Sequence, residues 1–310
     1  MVTTKSLKNQ SIHIIKKHYH TYPNIDKNLT TTLEEHFSQK SPKPIMIHTE
    51  IIKKIQQKHK EEFGIKPSKN EIRLLNYCPT LQERPDFFKK HNIFNVPMNR
   101  KTSYWIKGTK SMNGYFDFTG NKTIQNNKPE KIELPRKDLD PIYNIGESES
   151  TAISLSFYNG LFKKKKSKYY NLSPSAKLLL WDKQIIQKAT NFDFYVKTKQ
   201  NKISATGGTW EPDAVYADDN TVLIIEAKKN MNKDYMIRQL YYPYRIFSEH
   251  MKISKDSREI KTLYLLYKIN KKQDQIIYDI ILIPIDFSNK PDYFEYKIPD
   301  NDVKHYNLIY

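Results

Sequence analysis

Two carboxylates and an ammonium group fall at telling spacing in the last third of the chain, in Glu211-Pro212-Asp213 and then in Glu226-Ala227-Lys228. Trp210 to Tyr216 and Thr221 to Lys228 read as short strands, and Ala217-Asp218-Asp219-Asn220 supplies turn residues between them, which predicts a hairpin. Side chains two apart on a strand share a face, so Glu226 and Lys228 project together while Ala227 points away, and pairing brings Asp213 beside them. The preceding run, Val222-Leu223-Ile224-Ile225, reads as a core strand, where ionised groups are costly unless they pair or bind metal. Two carboxylates suit a hard cation such as Mg2+, which binds phosphate oxygens, lowers the pKa of a bound water and stabilises a leaving oxygen. Lys228 suits orienting or deprotonating that water, or neutralising charge on phosphorane-like oxygens. The chemistry implied is phosphodiester hydrolysis. The plainer alternative is a surface hairpin whose Glu/Lys pair contributes under about 1 kcal/mol.

At Pro212, Asp213, Glu226 and Lys228 the chain resembles the PD-(D/E)XK nuclease superfamily, the fold of most Type II restriction endonucleases and many repair nucleases. The motif and its flanks cover about residues 173 to 286. The resemblance implies an α/β fold with a restriction-endonuclease-like core, a mixed central sheet flanked by helices. It also implies Asp213, Glu226 and the backbone carbonyl of Ala227 as metal ligands and Lys228 as the catalytic lysine, with Mg2+ as cofactor and Mn2+ as a substitute. Two other segments carry the same letters without the geometry. Between Asp292 and Glu295 in Pro291 to Lys297 only two residues intervene, too few for a strand, a turn and a return strand, so a surface segment is expected. Pro85-Asp86 has no Glu-x-Lys within reach, and Phe87-Phe88-Lys89-Lys90 looks helical.

Other elements must hold the hairpin. Ser173-Pro174-Ser175-Ala176 predicts a helix through about Ala189, with Ser173 as N-cap and Leu178, Leu179, Trp181, Ile185 and Ile186 as its apolar face. Phe192 to Lys197 predicts a strand, and Gly207-Gly208 a turn before the Pro-Asp strand. Met236, Leu240, Tyr244, Phe247 and Met251 then recur at helical spacing, predicting a helix from about Asn232 to His250 that Pro243 kinks or ends near Tyr242. On that helix Gln239 either faces the site or is structural, and Arg238 is a candidate DNA contact. Thr262 to Ile269 and Gln275 to Asp286 predict two more strands, an order that fits a layered α/β domain over 146–310.

Upstream, Gly146-Glu147-Ser148-Glu149-Ser150 starts a helix expected to reach Phe162, followed by Lys163-Lys164-Lys165-Lys166. An acidic first turn and a basic end suit the helix dipole. Alternatively, Glu147 or Glu149 is an upstream acid at the site, as some members of the superfamily have, and the four lysines contact backbone phosphate. Asn121 to Asp140, polar and Pro-containing, predicts a linker or extended loop, and Ser103 to Lys107 and Gly114 to Phe118 look strand-like.

Residues 1–145 are expected to form a mainly helical region for DNA recognition or dimerisation. Thr49 to Phe63 predicts a helix with Gly64 as its C-cap, and Ser68-Lys69-Asn70-Glu71 a capping box for a second helix closed by Pro79. Plain packing is the simpler reading of that pair, and a helix-turn-helix reading the major groove is the alternative. His13, His18, His20 and His36 match no closed zinc spacing.

Composition bounds these readings. The chain has 310 residues and 38% hydrophobic content, enough for one large or two ordinary cored domains. Its formal charge of +18, from 52 basic and 34 acidic residues, points to a polyanionic partner, and no apolar run is long enough to suggest a membrane protein. DNA binding should therefore weaken steeply with salt; a flat titration would remove this electrostatic argument. Cys78, the only cysteine, excludes an internal disulfide, and Met1 to Lys8 lacks the apolar stretch of a signal peptide, so a cytoplasmic site of action is expected. Together these features predict a Mg2+-dependent endonuclease, best matched to Type II restriction cleavage of double-stranded DNA by a homodimer with a cognate DNA methyltransferase as functional partner. A repair, junction-resolving or defence nuclease of the same fold, and a noncatalytic DNA-binding protein, are the alternatives.

Overall fold

Every residue from Thr221 to Ala227 is buried, so this strand needs cover on both faces, and the main sheet is built around it. The computed structural model describes residues 4–18, 32–48, 52–68, 78, 80–98, 102–109, 114–118, 122–133, 147–163, 166–179, 192–196, 201–205, 211–272, 275–287, 292–293 and 295–309. The N-terminal elements are α1 (Thr4–His18), α2 (Leu33–Ser38), β1 (Ile45–His48), α3 (Ile52–Phe63), α4 (Asp86–His91), β2 (Ile93–Pro97) and β3 (Thr102–Lys107). β3 lies between β1 and β2 in an antiparallel sheet. Ile12, Phe37, Ile55 and Phe88 from the helices meet Ile45, Ile93 and Trp105 from that sheet in a core of their own. This region, expected to be mainly helical, therefore has a sheet at its centre; its shortest strand, Ile-Met-Ile-His, is too brief to announce itself. Gly64 follows α3 at φ 69°, the left-handed conformation a C-cap glycine supplies. The second helix of the expected pair lies at 69–77, outside the described residues.

The remaining elements are β4 (Tyr115–Asp117), α5 (Lys122–Asn126), β5 (Glu130–Glu133), α6 (Glu149–Tyr158), β6 (Lys177–Leu178), β7 (Phe192–Val196), β8 (Asn201–Ala205), β9 (Ala214–Ala217), β10 (Thr221–Lys229), β11 (Asp234–Met236), α7 (Arg238–Ser254), β12 (Glu259–Lys272), β13 (Gln275–Ile285) and β14 (Lys304–Ile309). Seven strands pair in the order β5-β14-β13-β12-β10-β9-β6. The β10/β12 and β14/β5 pairs are parallel and the others antiparallel, so the sheet is mixed. Alternation along β10 sends Leu223, Ile225 and Ala227 to the face packed against Ala152, Ile153 and Leu155 of α6. Val222 and Ile224 go to the opposite face, against Leu240, Tyr241 and Tyr244 of α7. The chain is thus α/β, with helices on both faces of a mixed sheet.

Several local expectations give way to long-range pairing. Ser173 to Leu179 forms no helix: Pro174 and Ser175 turn, and Lys177–Leu178 pairs with Ala217 and Tyr216 at the sheet edge; Trp181, Ile185 and Ile186 lie outside the described residues. Asn121 to Asp140 is not wholly a loop, because Lys122–Asn126 is helical and Glu130–Glu133 pairs with Tyr306–Ile309. The helix expected from Asn232 begins only at Arg238, since Asp234–Met236 pairs with Tyr115–Asp117. α7 then runs through Pro243 to Ser254 without ending. A proline there costs about 3 kcal/mol, and burial of Tyr241, Tyr242, Tyr244 and Ile246 outweighs it. α6 stops at Tyr158 rather than Phe162. Asp292 and Tyr293, expected on the surface, are buried, with Tyr293 among Phe94, Phe194 and Tyr241. Pro85 precedes α4, so Asp86 opens a helix as its neighbours suggested.

Candidate active site

The hairpin that should gather the carboxylates forms in the required register. β9 and β10 pair antiparallel from Val222↔Ala217 to Ile225↔Ala214, which puts Asp213 opposite Glu226 one step further on. Asp218 holds the turn: its Oδ1 accepts the N–H groups of Asn220 and Thr221 at 2.9 and 2.8 Å, and its Oδ2 that of Ser173 at 2.7 Å. Asp213 Oδ2 accepts the Ala227 N–H at 2.7 Å, tying the Pro-Asp segment to the end of β10. Lys228 Nζ donates to Glu226 Oε1 at 2.5 Å and lies 4.0 Å from Asp213 and 3.9 Å from Glu149. Because β11 delays the start of α7, Gln239 sits in its first turn, and its Nε2 donates to the same Glu226 oxygen at 2.7 Å.

Burial sets the electrostatics. Glu226 is 4% exposed, and loss of water pushes its carboxyl up to about 8 against the pull of Lys228, with Asp213 and Glu149 adding to the push. Burial likewise raises Glu149, with Lys228 opposing and Asp213 reinforcing the shift. Burial pulls Lys228 down, but Glu226, Asp213 and Glu149 outweigh it and hold the ammonium above its usual range. Three carboxyl groups thus surround one ammonium in a largely dry space. Among the described residues no group of three or more His, Cys, Asp or Glu gathers as a closed metal cage. That fits Mg2+ better than Zn2+ or Ca2+, since Mg2+ takes one or two carboxylates and completes its shell with waters and substrate phosphates. Asp213 and Glu226 are the side chains that would hold it, beside the backbone of Ala227.

The other expected residues divide. Glu149, at the first turn of α6, is the upstream acid that reaches the site; Glu147 instead meets Lys229 and Lys271, which hold its carboxyl down to about 2. Arg238 is half-buried and near enough to the buried hydroxyls of Tyr242, Tyr264 and Tyr293 for its charge to act on them, so it turns toward the tyrosine core. Lys163 bridges to Leu172, Lys166 pairs with Glu130 and covers the Tyr306 ring, and Lys164 and Lys165 lie outside the described residues. Sequence reasoning missed Tyr264, which the parallel register places beside Glu226 and whose hydroxyl donates to the Met236 carbonyl at 2.6 Å. No local pattern marks it, because its neighbour is set by a crossover through α7.

No curated protein and no solved structure matches the chain. Residues 110–303 match the family described as Domain of unknown function (DUF6997), a span that runs from just before β4 to just before β14 and includes Asp213, Glu226, Lys228, Gln239 and Glu149. With more than half of its length matched, this chain belongs to the DUF6997 family.

Proposed function

We propose that the chain is a Mg2+-dependent DNA endonuclease acting through Asp213, Glu226 and Lys228, in the manner of the PD-(D/E)XK nucleases it resembles at those residues. The observation that carries this reading is the convergence of Lys228 Nζ on Glu226 at 2.5 Å, Glu149 at 3.9 Å and Asp213 at 4.0 Å at the end of a buried strand. Apolar side chains would fill the same space at lower cost to folding, so an acid excess there points to a use beyond stability. Bound between Asp213 and Glu226, the cation, Mg2+ or Mn2+ in its place, supplies charge neutralisation at the scissile phosphate and a more acidic bound water. Lys228 orients that water or meets charge on the phosphate oxygens. Gln239, bonded to Glu226 Oε1, fixes the carboxylate so that it need not reorganise during reaction.

Sequence-specific Type II cleavage of double-stranded DNA is the preferred form of this reading. A separately cored N-terminal unit is suited to recognition or homodimer formation, and the net charge of +18 suits a duplex. A cognate DNA methyltransferase would be its functional partner and the cytoplasm its compartment. Among the described residues no helix is long and apolar enough to cross a membrane. Incubation of the protein with supercoiled plasmid, with and without Mg2+, tests the proposal. Discrete bands only with Mg2+ support restriction cleavage; a smear or structure-dependent nicks support a general nuclease; DNA that is bound but left intact supports a noncatalytic binder and overturns the nuclease reading.

A further inference from the structure

A second polar cluster lies at the same end of β10 and β12 but on the opposite face of the sheet. Glu226 and Lys228 face α7, whereas Lys229 shares the α6 face with Ala227 and Ile225, and Lys271 shares it with Tyr267 and Leu265. Lys229 Nζ lies 2.7 Å from Glu147 Oε2 and Lys271 Nζ 2.8 Å from Glu147 Oε1. The Tyr267 hydroxyl donates to the Glu147 carbonyl at 3.0 Å and holds that residue over the strand end. One carboxylate therefore spans two ammonium groups with its two oxygens, the arrangement that the two non-bridging oxygens of a phosphodiester would adopt between the same lysines. The three side chains are 42, 39 and 61% exposed for Glu147, Lys229 and Lys271, so the cluster is open to a ligand, and ion pairs this exposed contribute little to folding.

We propose that Lys229 and Lys271 form a seat for a DNA backbone phosphate beside the Glu226/Lys228 site, and that Glu147 occupies this seat in the free protein as a carboxylate stand-in that DNA displaces. The proposal rests on the reading that DNA lies against this end of the sheet. Lys228 and Lys229 are consecutive and point to opposite faces, so a strand crossing the end of β10 meets one at the site and the other at a neighbouring phosphate. Glu147 and Glu149 flank Ser148, the N-cap of α6, so Glu147 can leave while Glu149 keeps its place near Lys228.

The test is binding of a labelled DNA duplex by the full chain in EDTA, followed by fluorescence anisotropy across a range of KCl, with circular dichroism melts to confirm that each variant folds. Glu147→Gln should bind about fivefold tighter, because an anion competing for the lysines is gone. Combining Lys229→Ala with Lys271→Ala should weaken binding about tenfold and reduce the slope of log affinity against log salt by about 2. Adding Glu147→Gln to that double variant should change nothing further. An equal gain from Glu147→Gln with the lysines absent, an unaltered salt slope in the double variant, or no duplex binding by the wild type would each overturn the seat. Coupling between Glu147 and the lysines in a protein that never cuts with Mg2+ leaves the seat standing and removes the nuclease reading; cutting without that coupling does the reverse.

Discussion

Glu226→Gln should abolish plasmid cleavage while leaving the fold and duplex binding intact. Glutamine keeps the shape of the side chain and an oxygen able to accept from Lys228 and Gln239, which now donate at 2.5 and 2.7 Å, but it removes the charge that would hold a divalent cation. Loss of one such group from a preorganised site costs about a thousandfold in rate. Asp213→Asn should act similarly, and Lys228→Ala should remove the only ammonium within 4.0 Å of both carboxylates among the described residues. The assay is nicking of supercoiled DNA in Mg2+, with anisotropy in EDTA as the binding control. Cleavage within tenfold of wild type by any of the three would remove that residue from the site.

The same substitution should make the metal-free protein more stable at alkaline pH. In the unfolded chain a glutamate ionises near 4.5, whereas burial raises the folded Glu226 carboxyl to about 8. Between those values the folded state keeps a proton that the unfolded state releases, so stability falls as pH rises through that window. The penalty is absent below pH 4.5 and complete above about pH 8, where it reaches the order of 4 kcal/mol. In EDTA, thermal melts of wild type and Glu226→Gln should therefore coincide near pH 4.5 and diverge by on the order of 5 °C at pH 8, the variant being the more stable. His305, raised chiefly by its bond to Asp279, adds stability below about pH 6.5 that fades as pH rises, but it does so equally in both proteins and cancels in the difference. Mg2+ at pH 8 should then stabilise the wild type and not the variant, since only the ionised carboxylate gains a partner. Melting curves that stay parallel from pH 5 to 8 would contradict the buried, proton-holding Glu226.

A site that destabilises its own strand is legible in sequence when the conflict is local. Val222 to Ile225 demands burial, the next even positions are charged, and alternation alone places Glu226 and Lys228 on one side. The Asp218 turn and the hairpin register were likewise readable, because partners a few residues apart leave few alternatives. Glu149 and Gln239 were only candidates among several. Whether Glu147 or Glu149 reaches the site depends on where α6 starts and how it lies on the sheet, and the position of Gln239 depends on three residues, Asp234–Met236, pairing with a strand more than a hundred residues earlier.

By itself the sequence determined the short-range chemistry: a basic chain, a hairpin with Pro-Asp on one strand and Glu-x-Lys on the next, and the face on which those side chains stand. It did so because side-chain alternation and tight turns are properties of neighbouring residues. Tertiary structure alone decided which distant groups join them. The parallel pairing of β10 with β12 puts Tyr264 beside Glu226, the short strand β11 carries Gln239 to the first turn of α7, and the C-terminal strand draws 130–133 out of an expected loop into the sheet. The same long-range packing turned Arg238 toward the tyrosine core and set Glu147 between two lysines. Each of those placements depends on burying apolar surface shared by elements far apart in the chain, and no local window of sequence contains both partners.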